Sequence, residues 1–104
     1  MSSVHVSRLL SILVLSASLL AACGGENSAT LVREAKAKAA AGDYKAAIIQ
    51  LKNAVAADEK NAEARFELGK LYLDQLDLPS AEKEFRRARE AGYPSNQVNP
   101  MIAR

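Results

Sequence analysis

The sequence predicts an all-α protein of stacked helical hairpins behind a cleaved apolar leader. An offset of 34 residues aligns the chain with itself and pairs Asp43 with Asp77 and Ala47 with Ala81. Small residues that recur at such a period let two helices approach closely in each repeat unit. Between these small residues, apolar side chains recur at three- and four-residue spacings, as on one face of a helix. The chain is therefore predicted to be a helical-repeat solenoid.

The leader shows the features of an export signal. His5 and Arg8 precede an apolar run over residues 9–20, and small residues follow at Ala21 and Ala22. This order is typical of a secretory signal, whereas a membrane-spanning helix needs about 20 apolar residues. An uncleaved anchor or an unlipidated signal are the alternatives. We expect residues 1–22 to form the signal peptide.

The end of the leader resembles the bacterial lipobox, in the segment Leu20-Ala21-Ala22-Cys23. The resemblance implies cleavage before Cys23 and acylation of its thiol, with residues 23–30 forming a flexible tether. Two or more acyl chains anchor a protein durably, since each buried methylene contributes about 0.8 kcal/mol. Gly24 is not the aspartate that, in such lipoproteins, accompanies inner-membrane retention. We therefore expect the mature protein in the cell envelope, anchored to the outer membrane and facing the periplasm.

The repeat region is predicted to contain two hairpins over residues 31–95 and the start of a third, truncated repeat over 96–104. The first unit has helices over 29–41 and 44–57, separated by a left-handed turn at Gly42 and a cap at Asp43. Asn61 is the predicted cap of the next helix, over 62–75. In the second unit Leu76 replaces the turn glycine, and Pro79 lies in the first turn of the following helix.

The motif spanning Ala41-Gly42-Asp43-Tyr44-Lys45-Ala46-Ala47-Ile48, together with Leu68-Gly69-Lys70-Leu71-Tyr72, resembles the core of two tetratricopeptide repeats. Further segments are similar to the repeat lipoproteins of the PEP-CTERM and exosortase sorting system: Leu51-Lys52-Asn53-Ala54, Asn61-Ala62-Glu63-Ala64-Arg65, Arg87-Ala88-Arg89-Glu90-Ala91-Gly92 and Met101-Ile102-Ala103-Arg104. This resemblance implies a role at the cell envelope, alongside exopolysaccharide production and surface protein sorting.

The composition disfavours catalysis, metal binding and nucleic acid binding. Without Arg8, 13 of the 14 basic residues remain beside 12 acidic ones, and their charges alternate along the helices. Cys23 is the only cysteine and His5 the only histidine, so a mature chain has no Cys/His metal cluster and no histidine to activate a serine. Carboxylates such as Glu82 and Glu84 are expected to be exposed. We predict no catalytic site, no cofactor and no metal.

A peptide-binding groove is predicted on the concave surface formed by the first helix of each hairpin. Its candidate residues come from both of these helices: Val32, Lys36, Ala39, Glu63, Phe66, Lys70, Leu73 and Asp74. Lys36 and Lys70 are 34 residues apart, so their ammonium groups should flank Phe66 and hold an acidic or C-terminal carboxylate of a peptide. The alternative is that both lysines are merely solvated. A basic cluster is expected on the solvated outer face of the second hairpin: Lys83, Arg86, Arg87 and Arg89.

Three function classes follow from these features. The favoured one is a membrane-anchored scaffold whose repeats gather client proteins of envelope export or sorting. The second is a docking module of a larger enzyme whose catalytic domain lies beyond residue 104. The third is self-association through the open end of the repeats, where Leu78 and Phe85 should stay partly exposed unless further repeats, a dimer partner or the last helix cover them.

Overall fold

A computed structural model describes residues 27–102, and these residues form five α-helices. The bounds are Asn27–Ala40 for α1, Tyr44–Ala57 for α2, Ala62–Asp74 for α3, Leu78–Glu90 for α4 and Ser95–Ile102 for α5. Helix α1 packs on α2 and α3 packs on α4 as two hairpins, while α2 contacts α3 and α4 contacts α5. The prediction of an all-α hairpin repeat is confirmed. The leader and Cys23 lie outside the described residues, within which no helix is long and apolar enough to cross a membrane.

Three side chains cap the helices that follow the turns. The carboxylate of Asp43 accepts from the Ala46 amide at 3.2 Å, and the side chain of Asn61 accepts from the Ala64 amide at 3.0 Å. Asp77 begins α4 in the same way. Each cap satisfies an amide that has no partner inside its helix. Helix α2 spans the predicted residues, and α3 ends one residue earlier than predicted.

Helix α1 begins earlier than predicted, because of contacts that are distant in sequence. Residues 27–30, which were assigned to the tether, form its first turn. The Ser28 hydroxyl donates to the Ala54 carbonyl at 2.9 Å and accepts from the Asn61 side-chain amide at 2.8 Å. These bonds tie the start of α1 to the end of α2 and the start of α3. The tether assignment is therefore wrong for these four residues.

Replacing Asn61 with alanine should lower the free energy of unfolding by about 1–2 kcal/mol, because it removes the α3 cap and the bond to Ser28 together. Asp77→Ala is the matched control, since it removes a cap alone and should cost about 1 kcal/mol. Urea unfolding followed by circular dichroism measures both variants. Equal losses would show that the Ser28 bond contributes nothing to stability.

The turns that close the helices share one geometry. The backbone is left-handed at Gly42 (φ 85°), Leu76 (φ 62°) and Gly92 (φ 100°). In each turn the next amide donates at 2.9 Å to a carbonyl five residues earlier, which ends the helix in a Schellman motif. This conformation costs an L-residue roughly 1–2 kcal/mol that glycine avoids. Leu76 stands at the position of Gly42 in the second repeat, and its side chain is 82% exposed.

Two apolar clusters form the core of the described residues. The first joins α1, α2 and α3 through Val32, Ala35, Ala47, Ile48, Leu51, Ala54, Ala64, Leu68 and Leu71. The second joins α3, α4 and α5 through Phe66, Ala81, Phe85, Ala88 and Val98. The equivalent residues Ala47 and Ala81 are both buried, as the 34-residue period requires.

Phe85 is the centre of the second cluster. Its ring is 0% exposed and lies so close to α3 that a Cβ added to Gly69 would be 2.7 Å from the ring atom Cε1. The last helix completes the enclosure, since Val98 of α5 is also fully buried. Phe85 is thus covered, and Leu78 remains 58% exposed. The sequence predicts that Leu78 and Phe85 stay partly exposed unless something such as the last helix covers them. The last helix covers Phe85 and leaves Leu78 exposed.

Candidate functional site

Helices α1 and α3 present neighbouring charged side chains on one exposed surface. The Lys36 ammonium contacts the Glu63 carboxylate at 2.9 Å, and the two side chains are 51% and 49% exposed. The hydrogen bond that Lys36 donates to the Glu63 carboxylate raises the pKa of Lys36 above its ordinary value of 10.5. The lysine is therefore charged throughout the neutral range, and it loses its charge only when the pH rises past this raised pKa.

Two turns along α3 from Glu63, a second lysine lies over the ring of Phe66. The Lys70 ammonium contacts the Glu67 carboxylate at 3.1 Å and lies 5.5 Å from the centre of the Phe66 ring, within cation–π range. Tyr93, in the turn between α4 and α5, stacks on Phe66 with ring centres 4.1 Å apart and planes 12° apart. Packed in the second cluster and stacked against Tyr93, Phe66 is only 6% exposed. Tyr93 therefore covers the Phe66 ring, which was predicted to line an open groove.

The structure brings only part of the predicted groove together. Lys36, Glu63, Phe66 and Lys70 share one surface, and Glu67 and Tyr93 join them. We call these six residues the A-helix face. The two lysines do not flank Phe66 symmetrically, since Lys70 lies over the ring and Lys36 is bonded to Glu63.

The other predicted groove residues lie elsewhere. Val32 is 1% exposed in the first cluster, because α1 needs an apolar stripe against α2, so its side chain cannot contact a ligand at the surface. Ala39 is partly buried against the same cluster. Leu73 lines a separate groove with α4 and α5. Asp74 is exposed at the end of α3.

Tyr93 and Glu67 are the contact residues that sequence reasoning missed. Tyr93 follows the turn residue Gly92, just as Asp43 follows Gly42 in the first repeat. Its place in the sequence therefore does not indicate a contact with α3. It also contributes, after Glu63 and Glu67, to raising the pKa of Lys36. The A-helix face therefore draws on α1, α3 and the turn before α5.

A polar pair of a different kind, Arg65 and Glu84, is buried between α3 and α4. The Arg65 guanidinium contacts the Glu84 carboxylate at 2.9 Å, and the two side chains are 8% and 9% exposed. Arg65 also donates to the Glu59 carbonyl at 3.3 Å, in the turn between α2 and α3. The expectation that Glu84 is exposed is wrong, because it faces α3, where Arg65 compensates its charge. The pair joins three elements and has the character of a structural crosslink.

The basic cluster on α4 is exposed, as predicted. Arg86 contacts Glu82 one turn earlier at 2.7 Å, and Arg89 donates to the Asn99 side chain at 3.3 Å. Exposed pairs of this kind contribute little to stability. Within residues 27–102, the acidic side chains do not form a group of three that could hold a metal ion.

Comparison with known proteins agrees with this architecture. The profile described as tetratricopeptide repeat matches residues 38–104, which is well over half of the chain. A search of curated proteins found no match. The matched region contains α2, α3, α4 and α5. The chain therefore belongs to the tetratricopeptide repeat family, whose repeats typically mediate protein–protein interactions and not catalysis.

Proposed function

We propose that the chain is a lipid-anchored scaffold of the cell envelope, facing the periplasm, whose repeats gather client proteins of export, sorting or exopolysaccharide-associated machinery. Membership of the repeat family supports the interaction role. The observation that carries the proposal is the A-helix face, where two half-exposed lysines stand beside the half-buried Tyr93 and the Phe66 ring beneath it. The lipobox-like segment and the similarity to exosortase-associated lipoproteins support the envelope location.

The A-helix face suits an acidic segment or C-terminal carboxylate of a client peptide. Each lysine is held by a glutamate of α3, and the lysine side chains are 51% and 43% exposed. Exposed ion pairs contribute at most about 1 kcal/mol, so a client carboxylate can replace Glu63, which is 49% exposed, at small cost. Glu67 is only 16% exposed, so at Lys70 a client carboxylate would add a second contact beside it. The half-buried ring of Tyr93, stacked on the buried Phe66, offers an apolar surface beside the lysines for a neighbouring client side chain.

The anchor would hold the repeats close to the bilayer. Cys23 and the first described residue, Asn27, are four positions apart, and a chain of this length spans at most about 14 Å. Any client bound to the repeats would then be held near the membrane as well. The lipid supplies the location, and the repeats supply recognition.

Replacing Cys23 with serine should abolish acylation and release the protein from the membrane fraction. Metabolic labelling with a fatty acid, followed by mass spectrometry of the first peptide and membrane flotation, measures both effects. Ser18→Ala is the matched control within the leader and should leave both unchanged. A wild-type first peptide without acyl groups would contradict the anchor.

Reversing the charge of both lysines, Lys36→Glu with Lys70→Glu, should reduce client recovery from solubilised envelopes about tenfold, since two carboxylate contacts of up to about 1 kcal/mol each are lost and like charges replace them. Lys45→Glu with Lys83→Glu is the matched control, because it changes the net charge equally outside the A-helix face. The measurement is quantitative mass spectrometry of copurified proteins. Unchanged recovery with the first variant would rule out the A-helix face as the binding surface.

A further inference from the structure

The outward side of α2 combines cationic and apolar side chains. Positions 45, 49, 52 and 56 follow one another at three- and four-residue spacings, so they share one side of the helix. Together with position 53 they form an exposed surface that we call the α2 face: Lys45, Ile49, Lys52, Asn53 and Ala56. Ile49 is 53% exposed although its side chain is wholly apolar.

The charge of α2 distinguishes it from the other described helices. Helices α1, α3 and α4 each carry at least one glutamate, and α5 carries no charged residue, whereas α2 carries two lysines and no acidic residue. Within residues 27–102 neither Lys45 nor Lys52 forms an ion pair, and Lys52 lies 6.0 Å from the centre of the Tyr72 ring. Asp43 and Asp58 cap the two ends of the helix. The α2 face therefore suits an anionic surface.

The segment that leads to Cys23 leaves the repeats beside the end of α2. The Ser28 hydroxyl donates to the Ala54 carbonyl, in the last turn of α2, at 2.9 Å. Five positions separate Ser28 from Cys23, and a chain of this length spans at most about 18 Å. Ile49 lies five residues before Ala54, or about 8 Å along the helix. An acylated Cys23 would therefore hold α2 within reach of the bilayer surface.

We propose that α2 lies along the membrane, with the α2 face on a bilayer that contains anionic phospholipid. The inference rests on the lipid anchor of the proposed function. Each lysine near such a surface strengthens binding about fivefold, and Ile49 can enter the boundary between headgroups and acyl chains. These contributions are too small to recruit a free chain, but the anchor makes the contact intramolecular, so they suffice to orient the repeats. The α2 face shares no residue with the A-helix face.

A single introduced tryptophan reports the orientation, because the chain has no tryptophan of its own. Ile49→Trp places it on the α2 face, and Leu78→Trp is the matched control, since Leu78 is an apolar residue of α4 with 58% exposure. The full chain is purified from its membrane in detergent and reconstituted into vesicles of equal parts phosphatidylcholine and phosphatidylglycerol with brominated acyl chains. We expect the emission from position 49 to be quenched and shifted to shorter wavelength, and the emission from position 78 to stay as in water.

Charge reversal tests whether the lysines cause this contact. In the Ile49→Trp chain, Lys45→Glu with Lys52→Glu should disfavour the contact at least about thirtyfold and reduce the quenching to the control value. Lys60→Glu with Lys83→Glu is the matched control, because it changes the net charge equally outside the α2 face and should leave the quenching unchanged. Brominated vesicles of phosphatidylcholine alone should give little quenching at position 49.

Two results would overturn the proposal: equal quenching at positions 49 and 78, or quenching at position 49 that survives reversal of both lysines. Both differ from failure of the anchor, which mass spectrometry of the first peptide detects directly. A Cys23 thiol that carries no acyl group can be coupled to a maleimide lipid in the same vesicles. The α2 face is therefore tested whether or not the natural anchor exists.

Discussion

Replacing Phe85 with alanine is expected to lower the free energy of unfolding by about 3–5 kcal/mol. The ring is fully buried, touches the backbone of α3 at Gly69 and lies 5.7 Å from the Phe66 ring centre. Its removal leaves a cavity that the helices cannot close without moving apart. Because native domains are stable by only about 5–15 kcal/mol, this loss is a large fraction of the total. Urea unfolding followed by circular dichroism measures it.

Two further variants define what the Phe85 result means. Phe85→Leu keeps most of the apolar volume and should be tolerated far better than alanine. Ile49→Ala, on the exposed side of α2, should change stability by about 0.5 kcal/mol or less. A Phe85→Ala loss below about 1 kcal/mol would show that α5 does not hold the ring in a closed site.

The second large effect concerns the buried ion pair. Arg65→Met should lower the free energy of unfolding by about 3–5 kcal/mol, because it leaves the Glu84 carboxylate buried without its cation. The same substitution removes the bond to the Glu59 carbonyl in the turn between α2 and α3. Chemical denaturation followed by circular dichroism measures the loss.

A double variant identifies the source of this loss. Arg65→Met with Glu84→Met removes both charges and should recover most of the stability, because two packed apolar side chains avoid the cost of desolvation. Lys36→Met is the surface control. It removes an ion pair whose two side chains are 51% and 49% exposed and should cost less than about 1 kcal/mol. Losses that simply add in the double variant would argue against a buried charge as the cause.

The hairpin fold was predictable because its determinants are local. The 34-residue period, the capping residues Asp43 and Asn61 and the left-handed turn at Gly42 each depend on a few consecutive positions. They gave the bounds of α2 and the existence of every predicted helix. The turn at Leu76 was predicted on register alone, from its correspondence with Gly42.

The candidate site was only partly predictable, because its contacts join residues distant in sequence. Periodicity placed Lys36, Glu63 and Lys70 on one surface, but it could not show which carboxylate each lysine contacts. Tyr93 reaches Phe66 only after α4 has folded back on α3. Arg65 and Glu84 are charged residues of the kind that usually lie at the surface, and only their mutual contact explains their burial.

The close approach of Gly69 to Phe85 limits how this chain can evolve. A methyl group at position 69 would overlap the ring, and the fully buried ring has no free space to enter. Loss of the glycine therefore requires a smaller side chain at position 85 first, and that intermediate carries a cavity. The two positions should change together or remain fixed, and a designed array built from this repeat would have to inherit them as a unit.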